Sequence, residues 1–152
     1  MAELVLVRPV HFPPGRAEVG LAWLKDAMAA RERYGMVRHA MRFTVRRTRR
    51  AYVYPATHWA SKREDANLPR MGERFRLRKD FDVSGFPPHA QAILQGLKSY
   101  GMFMADNGSD WLMSVAPDRR LDLKGLETLS RVKGRDFEVV RTTGPDEGPR
   151  KR

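Results

Sequence analysis

The stretch Phe86 to Trp111, FPPHAQAILQGLKSYGMFMADNGSDW, constrains the fold more than any other part of the chain. Pro87 and Pro88 suit the first turn of a helix, and Gly101 suits the position just past its end. Between them Ala90, Ile93, Leu94, Leu97 and Tyr100 recur at the i, i+3, i+4, i+7 spacing of a core-facing stripe, which predicts a helix over Pro88 to Tyr100. Met102 to Ala105 is short and apolar, as a buried strand would be. Asn107-Gly108 is the strongest hairpin cue in the chain, because both residues accept the positive φ of a type I′ turn. Trp111 to Val115 then reads as the returning strand.

The same grammar extends in both directions. Glu3 to Val10 reads as a strand closed by Pro9 and by Pro13-Pro14-Gly15, and Glu18 to Tyr34 as a helix stopped by Gly35. Met41, Phe43 and Val45 alternate with Arg42, Thr44 and Arg46, the pattern of a half-buried strand. Ala51 to Tyr54 is its expected return across an arginine-rich turn. His58 to Gly72, broken by Pro69 and Gly72, reads as a long loop of the kind that often carries function. Arg74 to Val83 suggests a strand with a bulge or bend, Leu121 to Val132 a second short helix, and Asp136 to Thr142 a closing strand. Hairpin-type links outnumber crossovers, so the expected class is α+β: a mostly antiparallel, β-rich sheet with two or three short helices packed on it.

Composition narrows the chemistry. The 152 residues suit one folded body and contain no cysteine, which excludes disulfides, thiolate nucleophiles and cysteine-held metals. The expected organisation is an N-terminal strand–helix extension over 1–35 (a cap or a truncated remnant), a core over 36–143 and a disordered polar tail over 144–152. No run of apolar residues is long enough to span a bilayer. The N-terminus shows no basic segment followed by an apolar one, so the default expectation is cytoplasmic. The formal charge is +11. Between Glu32 and Glu64 no acidic residue interrupts Arg33, Arg38, Arg42, Arg46, Arg47, Arg49, Arg50, Lys62 and Arg63. A field of that sign attracts phosphate backbones, anionic polysaccharides or acidic lipid headgroups.

Three segments, HAMRFTVRRTRRAYVYPATHWAS, LPRMGERFRLRKDFDVSGF and ILQGLKSYGMFMADNGSDWLMSVAPD, resemble the C-terminal part of a group of uncharacterised bacterial proteins. The resemblance covers Met36 to Val140 and continues more weakly through LETLSRVKGRDFEVV. It implies export for many relatives and a longer upstream segment than Met1 to Gly35 supplies. It implies no particular activity, and with it the chain reads as a shortened member, a fragment or a fusion.

Candidate site residues follow from side-chain chemistry. Imidazole titrates near neutrality, so His39, His58 and His89 are candidates for acid–base work, while His11 sits in a proline-rich loop. His58, beside Trp59, Ser61 and Tyr54, is the preferred one, and Asp106 is its candidate catalytic partner across a shared hollow. A Ser61–His58–Asp106 triad lacks a G-x-S-x-G elbow to support it, and Asp80 with Asp82 forms no convincing carboxylate pair. Asp106-Asn107-Gly108-Ser109-Asp110 offers oxygen ligands but departs from EF-hand spacing. It is read as a turn, and neither a metal nor a cofactor is assigned.

The basic-aromatic run supplies the binding candidates Tyr54, His58, Trp59, Asp106, Asn107, Arg42, Arg46 and Arg49. Guanidinium groups neutralise anions, and Tyr and Trp faces stack on sugars or on bases. The leading expectation is a groove that binds an extended polar or anionic polymer, saccharide-like. Two alternatives stand beside it: a nonspecific nucleic-acid-binding module, and a glycan-acting hydrolase or its inactive remnant using His58 and Asp106.

Overall fold

A computed structural model of the chain describes residues 5–6, 35–113 and 122–140. The helix expected over Glu18 to Tyr34 and the tail from Gly144 onward lie outside the described residues. The strands are β1 (Val5–Leu6), β2 (Met41–Val45), β3 (Arg74–Leu77), β4 (Met102–Asn107), β5 (Leu112–Met113) and β6 (Phe137–Val140). They hydrogen-bond in the spatial order β1-β5-β2-β4-β3-β6. Two α-helices are described, α1 (Pro88–Ser99) and α2 (Leu123–Glu127). The class is α+β.

The sheet is mixed, which corrects the expectation of a mostly antiparallel one. Pairs β2·β4 and β1·β5 run parallel, whereas β2·β5, β3·β4 and β3·β6 run antiparallel. The correction centres on Asn107-Gly108. These residues end β4, but the chain does not fold back onto β4. It crosses the end of β2 and pairs on the far side of that strand, with Leu112 opposite Thr44. Neither Asn107 nor Gly108 has positive φ; the only non-glycine residue with positive φ among those described is Trp111, at 54°. A type I′ hairpin is therefore absent here. Local turn propensity yields to the open edge of β2 and to the packing of Trp111.

Side chains sort by strand alternation. Met41, Phe43 and Val45 share one face of β2 and are buried, while Arg42 points to the opposite face and is exposed. Register extends the apolar face across the sheet, pairing Phe43 with Met104, Met41 with Met102, Phe75 with Met102, and Leu77 with Phe137. A register shift between Phe43 and Thr44 leaves Ala105 unpaired without reversing that face. On the other face, exposed Arg76 pairs with Glu138 at 2.6 Å.

The α1 helix forms where the apolar spacing places it, with proline at its start. Its Ala90, Ile93, Leu94 and Leu97 join the core cluster that holds Met41, Phe43, Met102, Met104 and Leu77. Burying a leucine of this kind contributes about 1.5–3 kcal/mol. Gly101 follows the helix with φ +71°, and its carbonyl accepts the Met41 N–H at 3.0 Å, tying the helix exit to the start of β2. The second expected helix divides: α2 lasts one turn and Thr128–Arg131 continues as a 3₁₀ turn. Residues 51–54 do not return along β2, since their described pairing is an isolated parallel bridge between Tyr52 and Met71. The strand expected over Arg74 to Val83 stops at Leu77.

Candidate functional site

The end of β2 is stitched on both sides. Toward the β4–β5 connection, Thr44 Oγ1 donates to the Ser109 carbonyl at 2.8 Å and the Gly108 N–H to the Val45 carbonyl at 2.9 Å. The Arg46 N–H donates to Asp110 Oδ1 at 2.9 Å, and Arg46 Nε lies 3.5 Å from Asp110 Oδ2. Thr48 is fully buried and donates its hydroxyl to Asn107 Oδ1 at 3.1 Å, which meets the hydrogen-bonding need of a buried polar group. Toward the long loop, the Arg49 N–H donates to the Pro69 carbonyl at 3.0 Å and the Arg50 N–H to the Arg63 carbonyl at 2.5 Å. Residues 46–50 are thus held as a rib between two loops.

Beside this rib lies a cleft of about 670 Å³. Phe43, Phe75 and Trp111 form its floor, Ala66 to Pro69 its rim, and Arg46, Arg47 and Arg49 its wall. The floor belongs to a stack of aromatic rings. Trp111 lies between Phe43 and Phe137, 5.2 Å from each by ring centroid and within 15° and 25° of parallel. Phe75 meets Phe43 and Trp111 edge-on, at 5.2 and 5.7 Å. Such pairs add about 0.5–1.5 kcal/mol each beyond their buried area. Close approach explains Gly108: a Cβ there would stand 2.8 Å from Thr44 Oγ1.

The cleft is electropositive. Its two carboxylates are already engaged, Asp110 with Arg46 and Glu73 with Arg70 at 2.9 Å. Arg47 and Arg49 have no carboxylate partner among the described residues. Arg49 Nε is buried and has no acceptor among the described residues.

A second surface adjoins the rib. Trp59 and Tyr52 are 46% and 43% exposed, too open for core residues, and their rings lie 6.0 Å apart at 34°. The Arg50 guanidinium sits 5.5 Å from the Trp59 centroid, in cation–π range. Residues 46–50 therefore connect a cationic, aromatic-floored cleft to an exposed Trp–Tyr platform.

The residues singled out from sequence distribute unevenly over these features. Arg46 and Arg49 line the cleft, Asn107 braces its wall through Thr48, and Trp59 forms the platform. Arg42 projects from the sheet face opposite the cleft floor. Tyr54, half-buried, precedes Pro55 across a cis peptide and does not line the cleft. His58 is exposed, with Nδ1 3.3 Å from Thr57 Oγ1, and Asp106 Oδ1 accepts the N–H of Asn107 at 2.8 Å. No hydrogen bond or ion pair joins His58 to Asp106, and neither lines the cleft.

The Ala66 to Pro69 rim belongs to the long loop that the sequence marks as a carrier of function, whereas the sequence does not mark Phe75 and Trp111 as site residues. Alternation marks Phe43 as inward-facing, but nothing in the sequence signals the crossing that lays Trp111 between Phe43 and Phe137. Among the described residues no three His, Cys, Asp or Glu side chains group as metal ligands would, and no helix is long and apolar enough to cross a membrane. No protein-family model, curated protein or solved structure matches the chain.

Proposed function

We propose that this protein binds an extended anionic polymer, saccharide-like in class, along the rib from Arg46 to Arg50. The observation that carries the reading is one short segment that lines a cleft with three arginines and sets the guanidinium of a fourth against the exposed Trp59 of the Trp59–Tyr52 pair. Arginine forks match carboxylate and sulfate oxygens, and indole and phenol faces accept the apolar face of a sugar ring. The resemblance of residues 36–140 to an uncharacterised bacterial group names no ligand, so the reading rests on this geometry alone.

A second reading is favoured by the same platform. An exposed Trp–Tyr pair with an arginine over it is also how single-stranded nucleic acid is held, by stacking and phosphate contact without base readout. Titration of the protein with a sulfated glycan, an uncharged glycan and an oligothymidylate over a range of salt separates the two. The polymer proposal expects the sulfated glycan to bind more tightly than the oligothymidylate at every salt concentration. Preference for the oligothymidylate, with affinity falling steeply in salt, replaces it with the nucleic-acid reading. Binding of neither overturns both.

A further inference from the structure

The cleft holds a feature that polymer binding leaves unused: apolar rings at the base of a cationic wall. Phe75 and Trp111 are half-buried, and Val139, at the mouth, is 59% exposed. A sugar chain needs no such apolar depth. The volume falls within the roughly 300–1,000 Å³ of small-molecule sites, which are commonly apolar cavities with a few convergent polar groups. The polar lining of the cleft is three arginines, two carboxylates and the amide of Asn67. Asp110 and Glu73 are paired with Arg46 and Arg70, whereas among the described residues no carboxylate pairs with Arg47 or Arg49. An anion entering the cleft meets two arginines on its wall that no described carboxylate engages.

We infer that the cleft between residues 46–49 and 66–69 binds a small amphipathic anion, with a planar apolar body against Phe75, Val139 and the edge of Trp111 and one carboxylate, sulfonate or phosphate on Arg47 and Arg49. The site shares its arginine wall with the polymer reading but makes no use of Trp59 or Tyr52. Binding requires both halves of the ligand. The ring system gains burial against an existing aromatic cluster, and the anion gains two guanidinium groups that no described carboxylate occupies.

Calorimetric titration of the full chain tests this with naphthalene-2-sulfonate as probe, against 2-naphthalenemethanol and inorganic sulfate as its separate halves. The expected result is saturable one-to-one binding of the sulfonate, with each half at least about tenfold weaker. Ala66→Trp, which fills the cleft from its exposed rim, abolishes binding. Arg47→Ala and Arg49→Ala each weaken it about tenfold or more while binding of the uncharged alcohol stays the same. Equal affinity for the sulfonate and the alcohol, or sulfonate binding unaffected by Ala66→Trp, overturns the inference. Circular dichroism spectra matching the parent confirm that loss of binding in a variant is not loss of fold. Sulfonate binding without any glycan or oligonucleotide binding supports this site while overturning the polymer reading.

Discussion

Trp111 lies face to face with Phe43, centroids 5.2 Å apart and planes 15° from parallel, although the two residues stand on a crossing loop and on the strand it crosses. The contact explains the topology. With φ at +54°, Trp111 turns the chain back along β2, and its indole fills the space between Phe43 and Phe137. Holding a non-glycine residue in that region costs on the order of 1 kcal/mol, which the aromatic stack offsets.

Trp111→Ala should therefore destabilise the fold by about 3 kcal/mol, through a vacated ring site in the aromatic stack. Trp111→Phe, which keeps a ring between its neighbours, should lose less than half as much. Urea denaturation followed by far-ultraviolet circular dichroism measures both. Equal losses for the two variants would mean that the stack does not hold the crossing.

Gly108→Ala places a Cβ 2.8 Å from Thr44 Oγ1 and should cost about 1–3 kcal/mol. Because φ at Gly108 is not positive, the cost is one of space, and it should shrink in a Thr44→Ala background. A double-mutant cycle on unfolding free energies reads this coupling directly. Strict additivity would remove the close approach as the reason for glycine.

Thr48→Val keeps the volume of a fully buried side chain but strands Asn107 Oδ1, and should cost about 1–2 kcal/mol. The effect should extend to ligand affinity, because Thr48 lies within the rib that carries Arg47 and Arg49. Unchanged stability in denaturant would show that this hydrogen bond does not brace the rib.

Asp82 supplies a pH prediction. The backbone N–H of Ser84, then its hydroxyl, hold this carboxyl below its ordinary value of 3.8, with a smaller contribution from Lys98. A pKa lower in the folded than in the unfolded chain adds stability above the unfolded value, and that stability is lost as pH falls through the folded one. Wild type and Asp82→Ala should accordingly differ in stability near neutrality and converge at strongly acid pH. Nuclear magnetic resonance titration should place the Asp82 midpoint below 3.8. A midpoint above it contradicts the turn geometry.

Much of the framework was legible because local pattern and tertiary demand agree there. Met41, Phe43 and Val45 alternate as a half-buried strand must, and the Pro88–Ser99 helix carries its start, stripe and stop in its own residues. Asn107-Gly108 was legible and misleading. Its turn propensity is local, whereas the choice between folding onto β4 and crossing to β2 depends on a strand more than sixty residues earlier. The arginine wall was visible as a basic run without acidic interruption, but its aromatic floor was not, since Trp111 reaches Phe43 and Phe75 only through that crossing. His58 and Asp106 could be paired on chemistry alone, and their observed hydrogen bonds are each to a neighbouring residue.

The central claim is that residues 46–50 engage an anionic polymer through arginines and the Trp59 platform. Its most direct test is the salt dependence of binding to a sulfated glycan by wild type, by Arg47→Ala/Arg50→Ala and by Trp59→Ala. The account predicts a shallower salt slope and about tenfold or greater loss for the arginine pair, and loss of affinity at unchanged slope for the tryptophan variant. Affinity and slope identical across all three proteins would contradict it.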